Sequence, residues 1–380
     1  MTVLYLLPRQ PRASETFVLN EIRAVRRQVP QPADAVALVL LGGLPQEPGF
    51  VPATGFSVRS FARALVRLRG NPTYRLRNAL LVGRAVPSAS RLAPDVVHCH
   101  FLGTPYQVGN EVARQLGVRM TVTTHAADYR GARARRLDAA VLRTGQLVLI
   151  SEAARADLLA LGYPEDVVRA APVVRAALHL ELAHPARARL SSSDRHRLVT
   201  VARLVEKKGI DLAIKAVAEL VHRGLPVHYR IVGDGPQAGA LQELARDLGI
   251  SDRVEFLGSR THRDALAVLD DSDYAVLPCV RSADGDEDGI PVFLMEAAAR
   301  GVPVVTTRLS GIPELFDDES AYFCAPTPTD VAEVVATAVT DPLAEQRAAA
   351  AARRLADEFD PDLQARRLLG LWEHRLASRP

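Results

Sequence analysis

The sequence predicts an α/β protein built as two parallel-sheet domains. Its 380 residues are too many for one ordinary core and suit two domains of roughly 150–200 residues each. Short apolar runs alternate with helical patterns from end to end, the mark of repeated strand–helix units. The rhythm breaks over residues 172–196, a stretch running from Pro172 through Pro185 to Ser191-Ser192-Ser193-Asp194. These signals place a first domain at 1–175, a linker at 176–189 and a second domain at 190–360.

In the first domain, Val3–Leu7 reads as a strand and Glu15–Arg27 as a helix with Ser14 as its N-cap. Strands follow at Val36–Leu41, Asp95–His98, Met120–Thr124 and Leu147–Ile150, with a helix near Tyr106–Leu116. Ser151 caps the helix carrying Ala153–Leu161. In the second domain, strands Leu198–Val201, Tyr229–Val232, Val254–Leu257, Tyr274–Leu277 and Val304–Thr306 alternate with helices Ile210–His222, Gln237–Leu248, His262–Leu269 and Val292–Arg300. Residues 328–376 read as mostly helical. Ligands of such sheets bind at the carboxyl ends of the strands, and a crevice between the domains is expected there.

Composition removes several classes. Hydrophobic residues make up 48 % and charged residues 24 %, the balance of a globular chain. No run of about 18 apolar residues suggests a membrane span. The N-terminus reads as a buried strand, not a signal peptide. The three cysteines, Cys99, Cys279 and Cys324, are dispersed, which disfavours a disulfide framework and fits a reducing cytoplasm. Cys99 lies between His98 and His100, but no second ligand cluster accompanies it and no metal is expected.

The net charge of +3 hides an asymmetry. Residues 1–190 hold 25 Arg, no Lys and 13 acidic residues, a balance of +12, and the remainder balances at −9. The first half should attract anions or an anionic surface. Nucleic acid is not expected, because basic and aromatic residues do not interleave and no reading helix appears. Over 59–91, Arg59, Arg63, Arg67, Arg69, Arg75, Arg77, Arg84 and Arg91 mix with Phe61, Leu65, Val66, Leu80 and Leu81. That pattern fits an anionic membrane surface, or an amphipathic helix on the sheet, or both. The expected location is cytoplasmic, with a peripheral place at the inner face of the plasma membrane left open.

The residues just after each strand could carry chemistry. Arg203 and Lys208 follow Leu198–Val201 and precede a helix N-terminus, an arrangement suited to an anion. Gly233-Asp234-Gly235-Pro236 follows the next strand. Glycine there lets backbone approach a ligand, and Pro236 is expected to open a helix. Asp284–Pro291 follows the strand ending at Leu277 and precedes a helix expected to carry Glu296 near its first turn. The acidic run lacks the alternation and terminal glutamate of a calcium loop. His125 ends a first-domain strand. Each feature alone is also compatible with a plain surface turn or a structural histidine.

Together and in order, these pieces resemble the retaining glycosyltransferases of family 4. The likeness runs through ARLVEKKGIDLAIKA, RIVGDGP, VEFLGSRTHRDALAVLDDSDYAVLPC and DGIPVFLMEAAARGVPVVTTRLSGIPEL, with LPRQPRASETFVLNEI and VTTHAADYR in the first domain. SETFVLNEI with EDGIPVFLMEA is similar to the branch that builds exopolysaccharides of the colanic-acid type. The resemblance implies the GT-B fold: two facing Rossmann-like domains, with the C-terminal helix, about 360–380, packing back on the first.

The resemblance also implies roles. Arg203 and Lys208 match the Arg and Lys that hold the donor diphosphate. Of the family's two glutamates separated by seven residues, the second matches Glu296, at the nucleotide ribose. The first falls on Asp288, one methylene shorter, which alters its reach toward the donor sugar. Gly289, Ile290 and Val292 would offer backbone N–H groups to sugar and phosphate, with Pro291 between them. Gly233, Asp234 and Gly235 would line the donor site. Gly258, Ser259 and Arg260 would lie beside the base. His125 matches a histidine near the donor sugar, and Ser14, Glu15 and Thr16 match a loop on the acceptor side. Residues 173–178 lack the glycine turn usual at that point in the family.

The implied reaction moves a sugar, with retention, from a UDP-, GDP- or ADP-sugar to a saccharide or lipid-linked saccharide in cell-surface polysaccharide synthesis. No cofactor is expected beyond that donor. Arg203, Lys208 and helix N–H groups would stabilise the departing diphosphate without a metal. No carboxylate pair suits a covalent glycosyl-enzyme, so same-face displacement is expected, the leaving phosphate taking the acceptor proton. Domain closure would exclude water. Two other readings are a different enzyme on this fold, such as a sugar-nucleotide epimerase or phosphorylase, and a weakly catalytic saccharide-binding or scaffold protein. The lysines are confined to Lys207, Lys208 and Lys215, which disfavours a pyridoxal-dependent phosphorylase.

Overall fold

Val3, Tyr5 and Leu7 face one side of a strand, and Leu4 and Leu6 face the other, because a strand's side chains alternate. Both sets are buried, so this strand needs helices on both faces. A computed structural model describes residues 1–11, 16–31, 34–42, 48–68, 70–129, 146–176 and 195–377. Ser14, Glu15 and the predicted linker 176–189, apart from Ala176, lie outside the described residues.

Contacts divide the chain into two units. One holds the described residues of 1–176 and 359–377, and the other holds 195–358. In the first unit the strands are β1 (Val3–Arg9), β2 (Ala35–Leu41), β3 (Phe50–Pro52), β4 (Val96–His100), β5 (Arg119–Thr123) and β6 (Gln146–Val148). They form one sheet in the order β3-β2-β1-β4-β5-β6, parallel throughout. In the second unit β7 (His196–Val201), β8 (Val227–Val232), β9 (Val254–Gly258), β10 (Tyr274–Leu277), β11 (Val304–Thr307) and β12 (Tyr322–Cys324) follow. Their order is β12-β11-β10-β7-β8-β9, again parallel.

One face of the first sheet packs on the helices Val58–Arg67, Pro72–Leu92 and Thr104–Leu116 through Leu4, Leu38 and Val97. The other packs on Thr16–Gln28 and on the C-terminal helix Pro361–Ala377, whose Trp372 stands edge-on to Tyr5 with ring centroids 6.3 Å apart. In the second unit Ile210–His222 and Pro328–Thr340 bury Ile214, Val217, Val331 and Val335.

The helices Ile210–His222 and His262–Asp270 and the strand Tyr274–Leu277 follow the apolar pattern closely. Two expectations need correction. Pro236 does not open its helix: Pro236 and Gln237 form a turn and the helix runs Ala238–Asp247, with Gln237 at the cap. Glu296 is the fifth residue of Val292–Ala299 and so stands on the second turn, not the first.

Candidate donor site in the second unit

In each sheet the chain order reverses at one point, where the crossover direction changes. In the second sheet β7 is flanked by β8 and β10, and sheets of this kind bind ligands beyond the carboxyl ends of the strands at such a switch. Arg203 and Lys208 follow β7, Gly233 follows β8, and the loop to Pro291 follows β10.

Backbone contacts draw these loops together. Gly209 has φ +62° and a Cβ there would meet the Pro278 carbonyl oxygen at 2.0 Å. Gly233 has φ +139° and a Cβ would meet the Ala202 carbonyl at 1.8 Å. Only glycine permits both the backbone conformation and the approach. The Leu204 N–H donates to the Asp234 carbonyl at 3.0 Å, Val280 N–H to the Lys207 carbonyl at 3.0 Å, and Gly311 N–H to the Gly289 carbonyl at 3.2 Å.

The acidic loop is neutralised from within. Lys208 Nζ lies 2.6 Å from Asp288 Oδ2, and Lys207 Nζ lies 2.9 Å from Asp286 and 3.3 Å from Asp288. Buried Glu287 pairs with Arg281 at 2.7 Å. Burial acts to raise Asp288, but Lys208 and Lys207 outweigh it and hold the carboxyl below its ordinary value. Glu296 accepts from His262 Nε2 at 2.8 Å, and that contact raises the His262 imidazole above its ordinary value.

Arg203 is exposed. Among the described residues no partner holds its guanidinium, unlike the paired lysines. Asp234 is exposed and Gly235 N–H donates to its carboxylate at 2.7 Å. Gly289 and Ile290 are partly buried, Pro291 buried and Val292 exposed at the start of the helix. Arg260 is exposed beyond β9. Arg203, Lys208, Asp288, Glu296 and the glycine loop therefore share one edge of one sheet.

The first sheet has the corresponding switch between β1 and β4. A cavity of about 420 Å³ opens there, lined by Leu7, Arg9, Arg77, His100, Phe101 and Asp128 among others. His125 is buried beside this cavity wall, between Phe17 and Phe101, with ring centroids at 4.5 and 4.6 Å. Its backbone N–H donates to Asp128 at 2.8 Å. Desolvation, reinforced by His100, pushes the His125 imidazole well below its ordinary pKa, so the ring is neutral at pH 7. Desolvation also pushes Asp128 up to about 7. Phe101 has φ +73°, an uncommon conformation for a bulky residue and one that concentrates at functional sites. Thr16 begins its helix.

Sequence reasoning missed Glu21, His100, Asp128, Lys207 and His262. His98 and His100 share a strand face, being two residues apart, and Glu21 brings its carboxylate to them, the ligand atoms lying within 4.8 Å of one another. Cys99 points to the opposite face, where a Cβ on Gly109 would meet its Sγ at 2.3 Å. The Arg-rich segment divides as well. Arg75 donates to the Leu65 carbonyl at 2.7 Å, and Arg91 hydrogen-bonds Thr54 and Ser88. Arg59, Arg63, Arg67, Arg77 and Arg84 are exposed.

Comparison with known proteins agrees with this architecture. A model described as glycosyl transferases group 1 matches residues 186–355, and one for glycosyltransferase family 4 matches 23–173. A protein of Escherichia coli K12 named as the colanic acid biosynthesis glycosyltransferase WcaL is 45 % identical over 129 residues, 34 % of this chain and 32 % of its own. The amylovoran biosynthesis glycosyltransferase AmsK of Erwinia amylovora is 41 % identical over 34 % of this chain and 32 % of its own. The chain thus spans about a third of the length of these two relatives. The crystal structure of Anabaena Alr3699/HepE with UDP and glucose superposes with a TM-score of 0.70 at 17 % identity, covering 100 % of both chains. At that identity the likeness is one of fold, GT-B. The two family models match adjoining stretches that together cover most of the sequence, and both describe glycosyltransferases, as do the names of the colanic acid and amylovoran relatives.

Proposed function

We propose that this protein transfers a sugar, with retention, from a nucleoside diphosphate sugar to a saccharide or lipid-linked saccharide acceptor of a cell-surface polysaccharide. The observation that carries this reading is the edge beyond β7 and β10. An unpaired guanidinium at Arg203, a lysine at Lys208 and the start of the helix Val292–Ala299 stand together there. Such a set suits a diphosphate. Glu296, on the second turn and away from the helix start, is suited to the hydroxyls of a ribose. The names of the relatives support the class of acceptor: colanic acid and amylovoran are polysaccharides, and a Mycolicibacterium smegmatis relative, 37 % identical over 43 % of both chains, is named as a GDP-mannose-dependent phosphatidylinositol monomannoside mannosyltransferase.

In this reading charge builds on the diphosphate oxygens as the glycosidic bond to phosphate breaks. Arg203, Lys208 and the helix N–H groups meet that charge, so no metal is required. Asp288 keeps Lys208 at the edge before the donor arrives and releases it to the phosphates. The leaving phosphate accepts the acceptor's proton on the same face. The cavity beside His100 and Asp128 would take the acceptor.

The protein is also read as peripheral to an anionic membrane. Among the described residues no helix is long and apolar enough to cross one. Exposed Val58 (71 %) and Val66 (81 %), beside Arg59, Arg63 and Arg67 on the same helix, support surface contact.

The test is incubation with UDP-, GDP- and ADP-sugars and a cell-envelope lipid extract. Product with the donor's anomeric configuration supports the reading. Nucleotide-sugar turnover without transfer to any saccharide, or an inverted product, would refute it.

A further inference from the structure

The face of β4 toward the helix Thr16–Gln28 carries a cluster of metal-ligating groups. His98 and His100 lie two residues apart on the strand and project to one side of the sheet. Their rings stand edge to face with centroids 5.1 Å apart, and both are buried. Glu21 reaches them from the helix. Its Oε1 lies 3.3 Å from His98 Nε2 and 3.2 Å from His100 Nε2. The three ligand atoms lie within 4.8 Å of one another. Local spacing shows only the histidines, because Glu21 precedes His100 by 79 residues. Cys99 is not part of the group: its Sγ points to the other face, against Gly109.

The Glu21 side chain is 12 % exposed. Among the described residues no Lys or Arg forms an ion pair with it, and a carboxylate withdrawn from water calls for a compensating charge. Two imidazoles and one carboxylate form a donor set that zinc takes, with a fourth position left open. Zinc bonds of about 2.0–2.1 Å in a tetrahedral array set ligand atoms roughly 3.3 Å apart. Both Glu21 contacts match that spacing. The outer contacts suit ligands too. His98 Nδ1 lies 2.7 Å from Thr121 Oγ1, which accepts from Trp372 Nε1 at 2.9 Å. His100 Nδ1 lies 3.2 Å from His125 Nε2, and Tyr5 Oη donates to Glu21 Oε1 at 3.2 Å. Partners of this kind orient metal-bound imidazoles and carboxylates.

We propose that Glu21, His98 and His100 bind one zinc ion, through the carboxylate and the two Nε2 atoms. The ion clips the helix Thr16–Gln28 to β4. His100 also lines the first-unit cavity of about 420 Å³, so the ion fixes that wall, and the cavity gives water a route to the fourth position. No step of the proposed transfer depends on this site.

The test is elemental analysis of the full-length chain, carrying no histidine tag, expressed in zinc-supplemented medium and washed with a weak chelator. About one zinc per chain is expected. X-ray absorption at the zinc edge should show nitrogen and oxygen neighbours at about 2.0–2.1 Å and no sulfur. Glu21→Gln, His98→Gln and His100→Gln should each retain less than about a tenth of that zinc, while His222→Gln, an exposed histidine of the second unit, should retain all of it. Stripping zinc with a strong chelator should lower the native Tm by several degrees, and zinc should restore it. Native protein that holds less than about a tenth of an equivalent overturns the proposal, and that result needs no variant to fold. So does sulfur around the zinc, iron or manganese in its place, or ligand variants that load as the native chain does. Zinc content is read without turnover. A zinc-bearing protein that moves no sugar would defeat the proposed function and leave the metal site standing, and a zinc-free protein that moves sugar would do the reverse.

Discussion

Lys208 Nζ stands 2.6 Å from Asp288 Oδ2, with Lys207 Nζ 3.3 Å from the same carboxylate. The residues come from loops beyond two adjacent strands, β7 and β10, so the pair stitches the switch point of the second sheet. Each side chain is mostly buried, at 15 % and 17 % exposure. A charge so placed depends on its partner.

Breaking that pair from one side leaves the other poorly solvated. Lys208→Met should destabilise the fold by about 2 kcal/mol, and Asp288→Asn by a similar amount. The double variant should be more stable than the sum implies, with a coupling of about 1 kcal/mol in denaturant titrations. Additive losses would show that the contact contributes nothing.

His262 and Glu296 predict a titration. Glu296 raises the folded-state pKa of His262 above the ordinary 6.5. The contribution of the pair is therefore complete below pH 6.5 and is lost as pH rises through the raised value. Proton NMR should show His262 titrating above 6.5 in the native chain and lower in Glu296→Gln. Equal midpoints would separate the two residues.

The first unit should show opposed pH effects. His98 and His125 have lowered pKa values, so the unfolded chain binds protons more readily and stability falls as pH drops below about 6.5. Asp128, raised to about 7, works against this: its folded form keeps a proton, and stability falls as pH rises from 3.8 to 7. Asp128→Asn removes the second effect. Relative to the native chain, the variant should gain stability as pH rises across 4–7, measured by urea unfolding. A pH-independent difference would contradict the burial of that carboxyl.

Much of the fold was readable because its periodicity is strong. Ile210–His222 and Tyr274–Leu277 fall where the apolar pattern puts them. The strands Phe50–Pro52 and Tyr322–Cys324 escaped, each having three residues and an edge position. Pro52 in addition argues locally against a strand, and is tolerated because an edge leaves one side unpaired. The donor-side residues follow strand ends, which sequence can locate. The Glu21–His100 contact joins residues 79 apart, set by where one helix lies on the sheet, and nothing in local spacing reveals it. His98 and His100 did carry a signal, since alternation puts them on one face. Arg75 and Arg91 looked like surface charge and instead hold backbone and hydroxyl groups, because a long arginine stem can fold back onto neighbouring turns.

The most direct measurement is a thermal-shift and calorimetric titration of UDP, GDP and ADP, and their sugars, against native protein and Arg203→Ala. One nucleotide should stabilise the native chain clearly, and the variant should lose that shift with no change in its own unliganded melting temperature. With the matching donor, its kcat should fall about a hundredfold, roughly 3 kcal/mol of barrier. Equal shifts and equal rates in both proteins would mean that the exposed guanidinium beyond β7 does not hold the diphosphate.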